Sequence, residues 1–395
     1  MGKERGIVLV ASTNSFHGNV LPQSFEKIHA EELGLGVLAE SGLNLTINCH
    51  QLDFLMYPWL GKYQEYQNLQ FSGGLFSHVL PALTSDEHLK WQEENGIKNQ
   101  TVSFYPEFCS PTKPNRNFWL LDSQTHYYSD GYLNQEVSWN AEEVGALPPV
   151  VKVNGRFGFV MTEKLFKPIL DLMFLAQRFP DKTNDAGISN LDLLVKAIAE
   201  VDEVILVPFD LEAPYVGSKL GKIFWERLIA KIKENGLEDR FLDFAKISQS
   251  LISEAQEIID TPHRSLSKWT SIEAMFDYFS ELKHYAKQEM SEENHLLLAF
   301  AAGADLAAAV FQKSIFSRKP INLPLVDSEG NPGTVQITGN KEIIDAGYLA
   351  RKVFLARIKE EEGSKELKLW RELSKKQKGG IYWERLIAVT KQLDI

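Results

Sequence analysis

The sequence predicts an α/β protein, with a parallel sheet or barrel through its first two thirds and a helical region after it. Three observations predict this. Short apolar runs alternate with helical patterns from the N-terminus to about residue 260, the rhythm of strands joined by crossover helices. Polar clusters stand just beyond the ends of several of those runs. After residue 265 the spacing of apolar residues turns helical and stays so.

Taken in chain order, the strands are expected at Ile7–Ser12, Leu43–Cys49, Leu69–Gly73, Thr101–Tyr105 and Val204–Phe209, with a last one near Phe244–Ile247. Each is a β-branched or aromatic run bounded by turn residues. Helical spacing covers Glu26–Glu40, Leu52–Tyr63, Glu87–Asn95, Leu165–Arg178, Leu191–Val201 and Ile223–Asn235. The stretch Ser110–Pro149 breaks the rhythm, being rich in Asn, Ser, Pro and aromatics without a sustained period. A long irregular excursion of this kind in a compact domain is usually functional. Beyond it, Ser271–Gln288 and Glu293–Lys313 read as long helices, the second rich enough in Ala and Leu to be buried on most sides. A Gly/Pro/Asp loop follows around Asp327–Gly333, then charged helices from Lys341 onward.

The bulk properties narrow the function. At 395 residues the chain exceeds what one hydrophobic core usually serves, so a large domain with a smaller appendage is expected. A net charge of -11 disfavours nucleic acid or anionic lipid as the main partner, since both reward a basic surface. A neutral polymer fits. The two cysteines, Cys49 and Cys109, are too few for a disulfide framework and read as free thiols of a reducing, cytoplasmic compartment. The apolar run Gly6–Ala11 is short and enters Ser12-Thr13-Asn14-Ser15 without a small-residue cleavage site, so it reads as a first strand rather than a signal peptide. No apolar run is long enough to span a membrane.

The polar clusters are the most informative feature. His17-Gly18-Asn19 follows the first strand, His78 follows Gln70–Gly74, Glu107 follows Val102–Tyr105, and Asp210-Leu211-Glu212 follows Val204–Phe209. In a parallel barrel the C-terminal ends of all strands gather on one face, so groups remote in sequence meet there. Two carboxylates in such a pocket suit glycosidic-bond chemistry, one attacking the anomeric carbon and the other passing a proton to the leaving oxygen. Glu107 is flanked by Phe104, Tyr105, Phe108 and Cys109, and a half-buried carboxylate needs a reason. Asp210 has a similar apolar approach, against which stands the alternative of an Asp capping the next turn. His50 ends a strand but brings no chemistry beside it, and reads as packing. Trp59, Trp119, Trp225 and Trp269 are either sugar-stacking platforms or core.

With those residues in view, the sequence resembles glycoside hydrolase family 57, which comprises α-glucan-active amylases, 4-α-glucanotransferases and branching enzymes. Phe104-Tyr105-Pro106-Glu107-Phe108-Cys109 looks like the family's nucleophile segment, and Val207-Pro208-Phe209-Asp210-Leu211-Glu212 is similar to its acid/base segment. Ser77-His78-Val79-Leu80-Pro81-Ala82-Leu83 resembles a stretch that lines a sugar subsite. Phe224-Trp225-Glu226-Arg227-Leu228 has the spacing expected after the acid segment, and Ser267-Lys268-Trp269 stands where the family carries a Trp platform. The first family segment departs from the usual His-rich motif, leaving His17 in its place, and the late Ser-Asp-Trp segment is reduced to Gly303-Ala304-Asp305-Leu306. The resemblance implies an incomplete (β/α)7 barrel followed by a helical C-terminal domain. The corresponding division is a barrel over residues 1–262, a helical domain over 263–318 closing the cleft, and a loop with charged helices over 319–395.

It further implies a retaining enzyme that hydrolyses or transfers α-1,4-glucan. Glu107 is its nucleophile, Asp210 its general acid/base, and His17, His78, Trp225, Trp269, Glu212 and Asp305 contact the substrate, with no metal and no cofactor. Two other readings use the same residues. One is a metal-dependent barrel hydrolase of α-mannosidase or deacetylase type, with His17, His78 and Asp210 around a divalent ion. The other is a sugar-binding relative that has lost turnover.

Overall fold

The computed structural model describes residues 4–12, 34–56, 58–81, 84–97, 102–106, 114–121, 148–162, 186–211, 221–257, 290–310, 321–326, 332–337 and 341–376. Its centre is a nine-stranded sheet. Strands β1 (Gly6–Ser12), β2 (Leu45–Asn48), β3 (Leu69–Ser72), β4 (Val102–Ser103) and β5 (Asn117–Leu121) precede a hairpin of β6 (Val150–Val153) and β7 (Arg156–Met161). Strand β8 (Val204–Asp210) and the short β9 (Gln256–Glu257) complete it. The order β3-β2-β1-β8-β7-β5-β4 is parallel at every step. Read as a ring, these seven strands follow chain order with a single unbonded seam between β3 and β4, which makes an incomplete (β/α)7 barrel.

Alternation along the strands builds two cores. On β1, Ile7, Leu9 and Ala11 face outward into a cluster with the helices, while Val8 and Val10 join the barrel interior with Leu206, Trp119, Phe159 and Met161. The outer cluster is completed by α1 (Leu35–Ser41), α4 (Ala186–Ala199) and α5 (Gly221–Glu234), through residues such as Leu38, Leu194 and Ile232. The other helices of this region are α2 (Gln51–Met56), a 3-10 turn over Pro58–Glu65, and α3 (Asp86–Asn95), whose N-cap Ser85 accepts from the His88 amide.

Three elements of the barrel region differ from the sequence expectation, and beyond it a β-hairpin stands at residues 321–337 where a loop is expected. Phe244–Ile247 is not a last strand but the start of helix α6 (Phe244–Ser253). Asp243 caps it by accepting from the Ala245 amide, and Phe244, Ile247 and Leu251 lie at helical spacing on its buried face. Those three side chains enter the inner cluster, with Phe244 against Trp119 (ring centroids 4.7 Å) and Phe159 (4.8 Å). Because the Leu242 amide bonds Ile7 at the start of β1, this helix closes the N-terminal end of the barrel. The irregular stretch Ser110–Pro149 contains barrel strand β5, and the hairpin β6–β7 lies just beyond it. The hairpin turns on Asn154 and Gly155, both at positive φ (48° and 79°), the two-residue turn for which Asn-Gly is the favoured pair.

The seam is closed by glycines rather than by ladder bonds. A Cβ on Gly74 would stand 2.7 Å from the Ser103 Cβ and 3.1 Å from its Cα, and one on Gly73 would overlap the Cys49 carbonyl oxygen. Main chains at the ends of β2, β3 and β4 therefore approach more closely than any side chain allows.

Beyond the barrel lie helix α7 (Glu292–Val310), the antiparallel hairpin β10 (Ile321–Val326) and β11 (Pro332–Ile337), and helices α8 (Lys341–Ile358) and α9 (Lys365–Lys376). Helix α7 packs on α8. It is tied to the barrel by polar contacts: Trp91 Nε1 donates to Glu292 Oε2 (2.8 Å), and Ser77 Oγ donates to the Ala299 carbonyl (2.9 Å). Among the described residues no helix is long and apolar enough to cross a membrane.

Candidate active site at the C-terminal rim of the barrel

All seven barrel strands point the same way, so the residues that end them form one rim. Register fixes its first layer. Ser12 of β1 pairs with Asn48 of β2, Asn48 with Ser72 of β3, and Ser12 on its other side with Asp210, the last residue of β8. The buried side chains in this layer saturate one another: Asn48 Nδ2 donates to Ser12 Oγ (3.3 Å), Ser72 Oγ donates to Asn48 Oδ1, and Trp119 Nε1 donates to Ser72 Oγ (3.1 Å). An unmade bond in so dry a layer costs about 1–3 kcal/mol, so each member holds the next in place.

Above this layer stands a histidine pair. His50 follows β2 and His78 follows β3, and His50 Nε2 lies 3.0 Å from His78 Nδ1 with the rings edge to face. His50 is also stacked on Phe104 (centroids 5.3 Å, 29° between planes). Phe104 lies just past β4 and three residues before Glu107, so the pair bridges the ends of β2, β3 and β4 across the seam. The His50 amide donates to Asp53 Oδ2 (2.7 Å), which fixes the turn that carries the ring. Burial lowers the His50 pKa, an effect opposed by the Asp53 charge and the Leu75 carbonyl. Cys49, between Asn48 and His50, is a buried free thiol whose pKa is pushed well up by burial and then by Asp53. It is an inert thiol rather than a nucleophile.

The end of β4 is anchored from helix α3. Tyr105 Oη donates to Glu93 Oε1 (2.9 Å) and Asn115 Nδ2 donates to Glu93 Oε2 (2.7 Å), so both oxygens of this buried carboxylate are engaged. Burial and the Glu93 charge raise the Tyr105 pKa well above its ordinary value. On the same helix, His88 Nδ1 meets His295 Nδ1 of α7 at 3.0 Å, the rings nearly parallel beside Trp91. Gln92 Nε2 lies 3.1 Å from His88 Nε2, and Gln92 Oε1 accepts from the Ser77 amide (2.8 Å). One polar chain thus runs from the residue before His78 to the helical region.

The residues expected from the sequence fall as follows. His78 is buried at the rim beside β3, and Asp210 closes β8 opposite Ser12. Trp225 is buried in the outer cluster, where α5 packs on the sheet among aliphatic residues. Asp305 lies in α7. Glu107, His17, Glu212 and Trp269 lie outside the described residues, Glu107 directly after the described Pro106. Sequence reasoning passed over His50, Asn48, Ser72 and Glu93. The first three share a signal that was available, a polar residue at the end of an apolar strand. Among the described residues no group of three or more His, Cys, Asp or Glu side chains is arranged to hold a metal.

No family model matches the chain, and no curated protein does. Solved structures do. The chain is similar to a GH57 branching enzyme from the hyperthermophilic archaeon Thermococcus kodakaraensis, at a TM-score of 0.56 and 12% identity, over 98% of this chain and 94% of that one. The two share a fold. Weaker likenesses are to an exo-type maltose-forming amylase from Pyrococcus sp. ST04 (TM-score 0.47, 11% identity, 89% of this chain and 75% of that one) and a 4-alpha-glucanotransferase from Thermococcus litoralis (0.41, 12%, 86% and 53%).

Proposed function

We propose that this protein is a family 57 type carbohydrate-active enzyme that hydrolyses or transfers α-1,4-glucan by a retaining mechanism. The observation that carries the reading is the direction of the strands: β4 and β8 run parallel in one barrel, so the segments leading to Glu107 and Asp210 emerge on the same rim. The likeness in fold to a branching enzyme over nearly the whole of both chains supports it, and so does the order of the motif-like segments along the sequence.

In this mechanism the Glu107 carboxylate attacks C1 of the sugar while Asp210 gives its proton to the departing glycosidic oxygen. The bond from C1 to that oxygen breaks, and a covalent glycosyl-Glu107 intermediate forms. Asp210, now ionised, takes a proton from water or from an acceptor sugar hydroxyl as that oxygen attacks C1, which frees Glu107 and restores the starting protonation. The two carboxyl groups then need to stand about 5–5.5 Å apart. His78, buried on the rim between β3 and β4, belongs to the sugar subsite in this reading. His17, Glu212, Trp269 and Asp305 complete the subsites in this reading. Trp225, enclosed in the outer cluster, is given packing rather than stacking.

Incubation with maltoheptaose and chromatography of the products tests the proposal. Longer chains mean transfer, and shorter ones alone mean hydrolysis. Glu107→Gln and Asp210→Asn are each expected to reduce turnover by at least about 10³-fold, the scale of losing a nucleophile or a general acid. Wild-type protein with the same negligible rate as Glu107→Gln would replace the enzyme by a sugar-binding protein of the same fold.

A further inference from the structure

Helix α7 holds the barrel through a closed circuit of hydrogen bonds whose direction is fixed. The Ser77 amide can only donate, so the atom of Gln92 that it meets at 2.8 Å is the side-chain oxygen. Gln92 Nε2 is left to donate to Ser77 Oγ (3.1 Å) and to His88 Nε2 (3.1 Å). An amide nitrogen never accepts, so His88 Nε2 is a lone pair and the neutral ring carries its proton on Nδ1. That proton fills the 3.0 Å contact with His295 Nδ1, which accepts. Ser77 Oγ closes the circuit by donating to the carbonyl of Ala299 (2.9 Å), one turn of α7 beyond His295. Ser77, His88, Gln92 and Ala299 are wholly buried, and His295, at 6% exposure, is the member that solvent reaches.

We propose that His295 is a proton-operated latch: one proton taken up at the contact of α3 and α7 reverses the donor order through His88 and Gln92. The reversal frees Ser77, and with it the His78 segment of the rim, from the helical region. The proton goes onto His295 Nδ1, the atom that accepts from His88. His295 then donates, the one proton of His88 has to stand on Nε2, and it meets the Gln92 N–H head on. Gln92 escapes that contact by turning its amide, which sets the same N–H against the Ser77 amide. One proton is drawn from water in total, His88 stays neutral, and the misfit emerges at the residue before His78. Among the described residues the charges that face His295 are Glu87 of α3 and Glu292 of α7, and both favour a proton there. Arg357 of α8 is engaged instead by Glu293 and Asn294. Burial still lowers the His295 pKa, so the latch is closed above the ordinary histidine range of about pH 6.5 and opens as pH falls through the folded value. The latch does not depend on the glucan reading; only its consequence for sugar binding beside His78 rests on it.

Nitrogen-15 spectra of histidine-labelled full-length protein, recorded from about pH 8 to pH 5.5, read the donor order directly. The signals are assigned by their loss in His88→Gln and His295→Asn. At the upper end His88 should be protonated at Nδ1 and His295 at Nε2. On acidification His295 should become doubly protonated while His88, still neutral, changes to the Nε2–H form at the same midpoint. His295→Asn places an oxygen that cannot titrate where Nδ1 stood, and should keep His88 as Nδ1–H throughout. Hydrogen exchange gives a second readout in the same proteins: protection of the Ser77 amide relative to that of the β1 amides should fall about tenfold in wild type and stay within about twofold in His295→Asn. His88 protonated at Nε2 at pH 8, a His88 tautomer that does not change as His295 titrates, or the same relative fall in both proteins overturns the proposal. The wild-type titration alone decides it should the variant not fold. On maltoheptaose, KM should rise about threefold more in wild type than in His295→Asn over this range. A wild type inactive on glucans but with the expected spectra overturns the substrate reading and leaves the latch standing.

Discussion

Acidification from about pH 8 to pH 5.5 should destabilise this protein through its buried histidines, well before its carboxylates titrate. His88 lies wholly enclosed among Gln92, Trp91 and His295, and burial, followed by the charge of His295, lowers its pKa well below the ordinary value. His295 is also lowered by burial, but Glu87 and Glu292 oppose the shift, so it is the first of the pair to take a proton. One proton leaves the bond between the rings intact, since a protonated His295 donates to His88. A second would place two cations 3.0 Å apart. In the unfolded chain both histidines bind protons near pH 6.5, whereas the folded pair holds at most one, so unfolding takes up at least one proton below that value. A depressed histidine pKa gives stability that is complete above about pH 6.5 and falls by about 1.4 kcal/mol per pH unit until the folded pKa is reached. His50, lowered by the same cause, adds a further loss of up to the same size. Together they cost roughly 3 kcal/mol by pH 5.5, a large part of the usual 5–15 kcal/mol, and lower Tm by about 3–4 °C at this length. Asp243 and Glu366 act in the same sense at lower pH: their lowered pKa values give stability that is complete above the ordinary carboxylate range and is lost only as pH falls below it, outside the histidine window. Urea midpoints measured at half-unit steps for wild type and His88→Gln isolate the pair. The variant should lose about 1.4 kcal/mol less over the range. Parallel curves for the two proteins would refute the reasoning, whatever their absolute stabilities.

Two further substitutions test how the rim is held. Gly73→Ala would drive a methyl group into the Cys49 carbonyl and should cost about 3 kcal/mol or more in thermal or urea unfolding, whereas Gly61→Ala, with nothing within 4 Å of its Cβ, should change stability by less than about 0.5 kcal/mol. Glu93→Ala leaves the hydroxyl of Tyr105 and the amide of Asn115 without their acceptor. It should lower stability by about 2–4 kcal/mol, and hydrogen exchange should show the loosening concentrated at residues 102–106.

The barrel was legible in the sequence wherever a strand was a continuous apolar run. Ile7–Ser12 and Val204–Phe209, buried on both faces over residues 7–12 and 204–207, stand out from any helical period and match β1 and β8 to within a residue. The failures have physical causes. Phe244–Ile247 is apolar at both the strand and the helix period, and only Asp243 before it, acting as a cap, separates the two. Strand β5 is five residues inside a polar stretch, so its pattern is diluted by its neighbours. The β6–β7 hairpin carries a strong local signal, Asn154-Gly155 between apolar runs, but it interrupts the strand–helix alternation of the rest of the barrel. At the rim, position after a strand singles out His78 and Asp210, whereas nothing adjacent to His50 in the sequence adds chemistry to it. Its partner is 28 residues away, and the contact exists only because β2 and β3 are neighbours in register.

That pairing also explains why the polar network gathers around β4 rather than around the rest of the rim. Strand β4 is two residues long and bonds to β5 alone, so the ladder gives little to fix the segment that leads to Glu107. What fixes it comes from the side: Ser103 packed against Gly74, Phe104 stacked on His50, and Tyr105 bonded to Glu93. Three consecutive residues are thus held by three different elements, β3, the β2 end and α3. Helix α3 is in turn joined through His88 and Trp91 to α7 of the helical region. If the proposed roles hold, the segment that leads to the nucleophile is fixed by contacts that cross the open seam and is coupled to the docking of the helical region, whereas the strand that ends in the proposed acid is paired with β1 along seven residues and is set by the barrel itself. Loss of the helical docking should accordingly loosen residues 102–106 before it loosens β8, which hydrogen exchange on a His295→Ala variant would read.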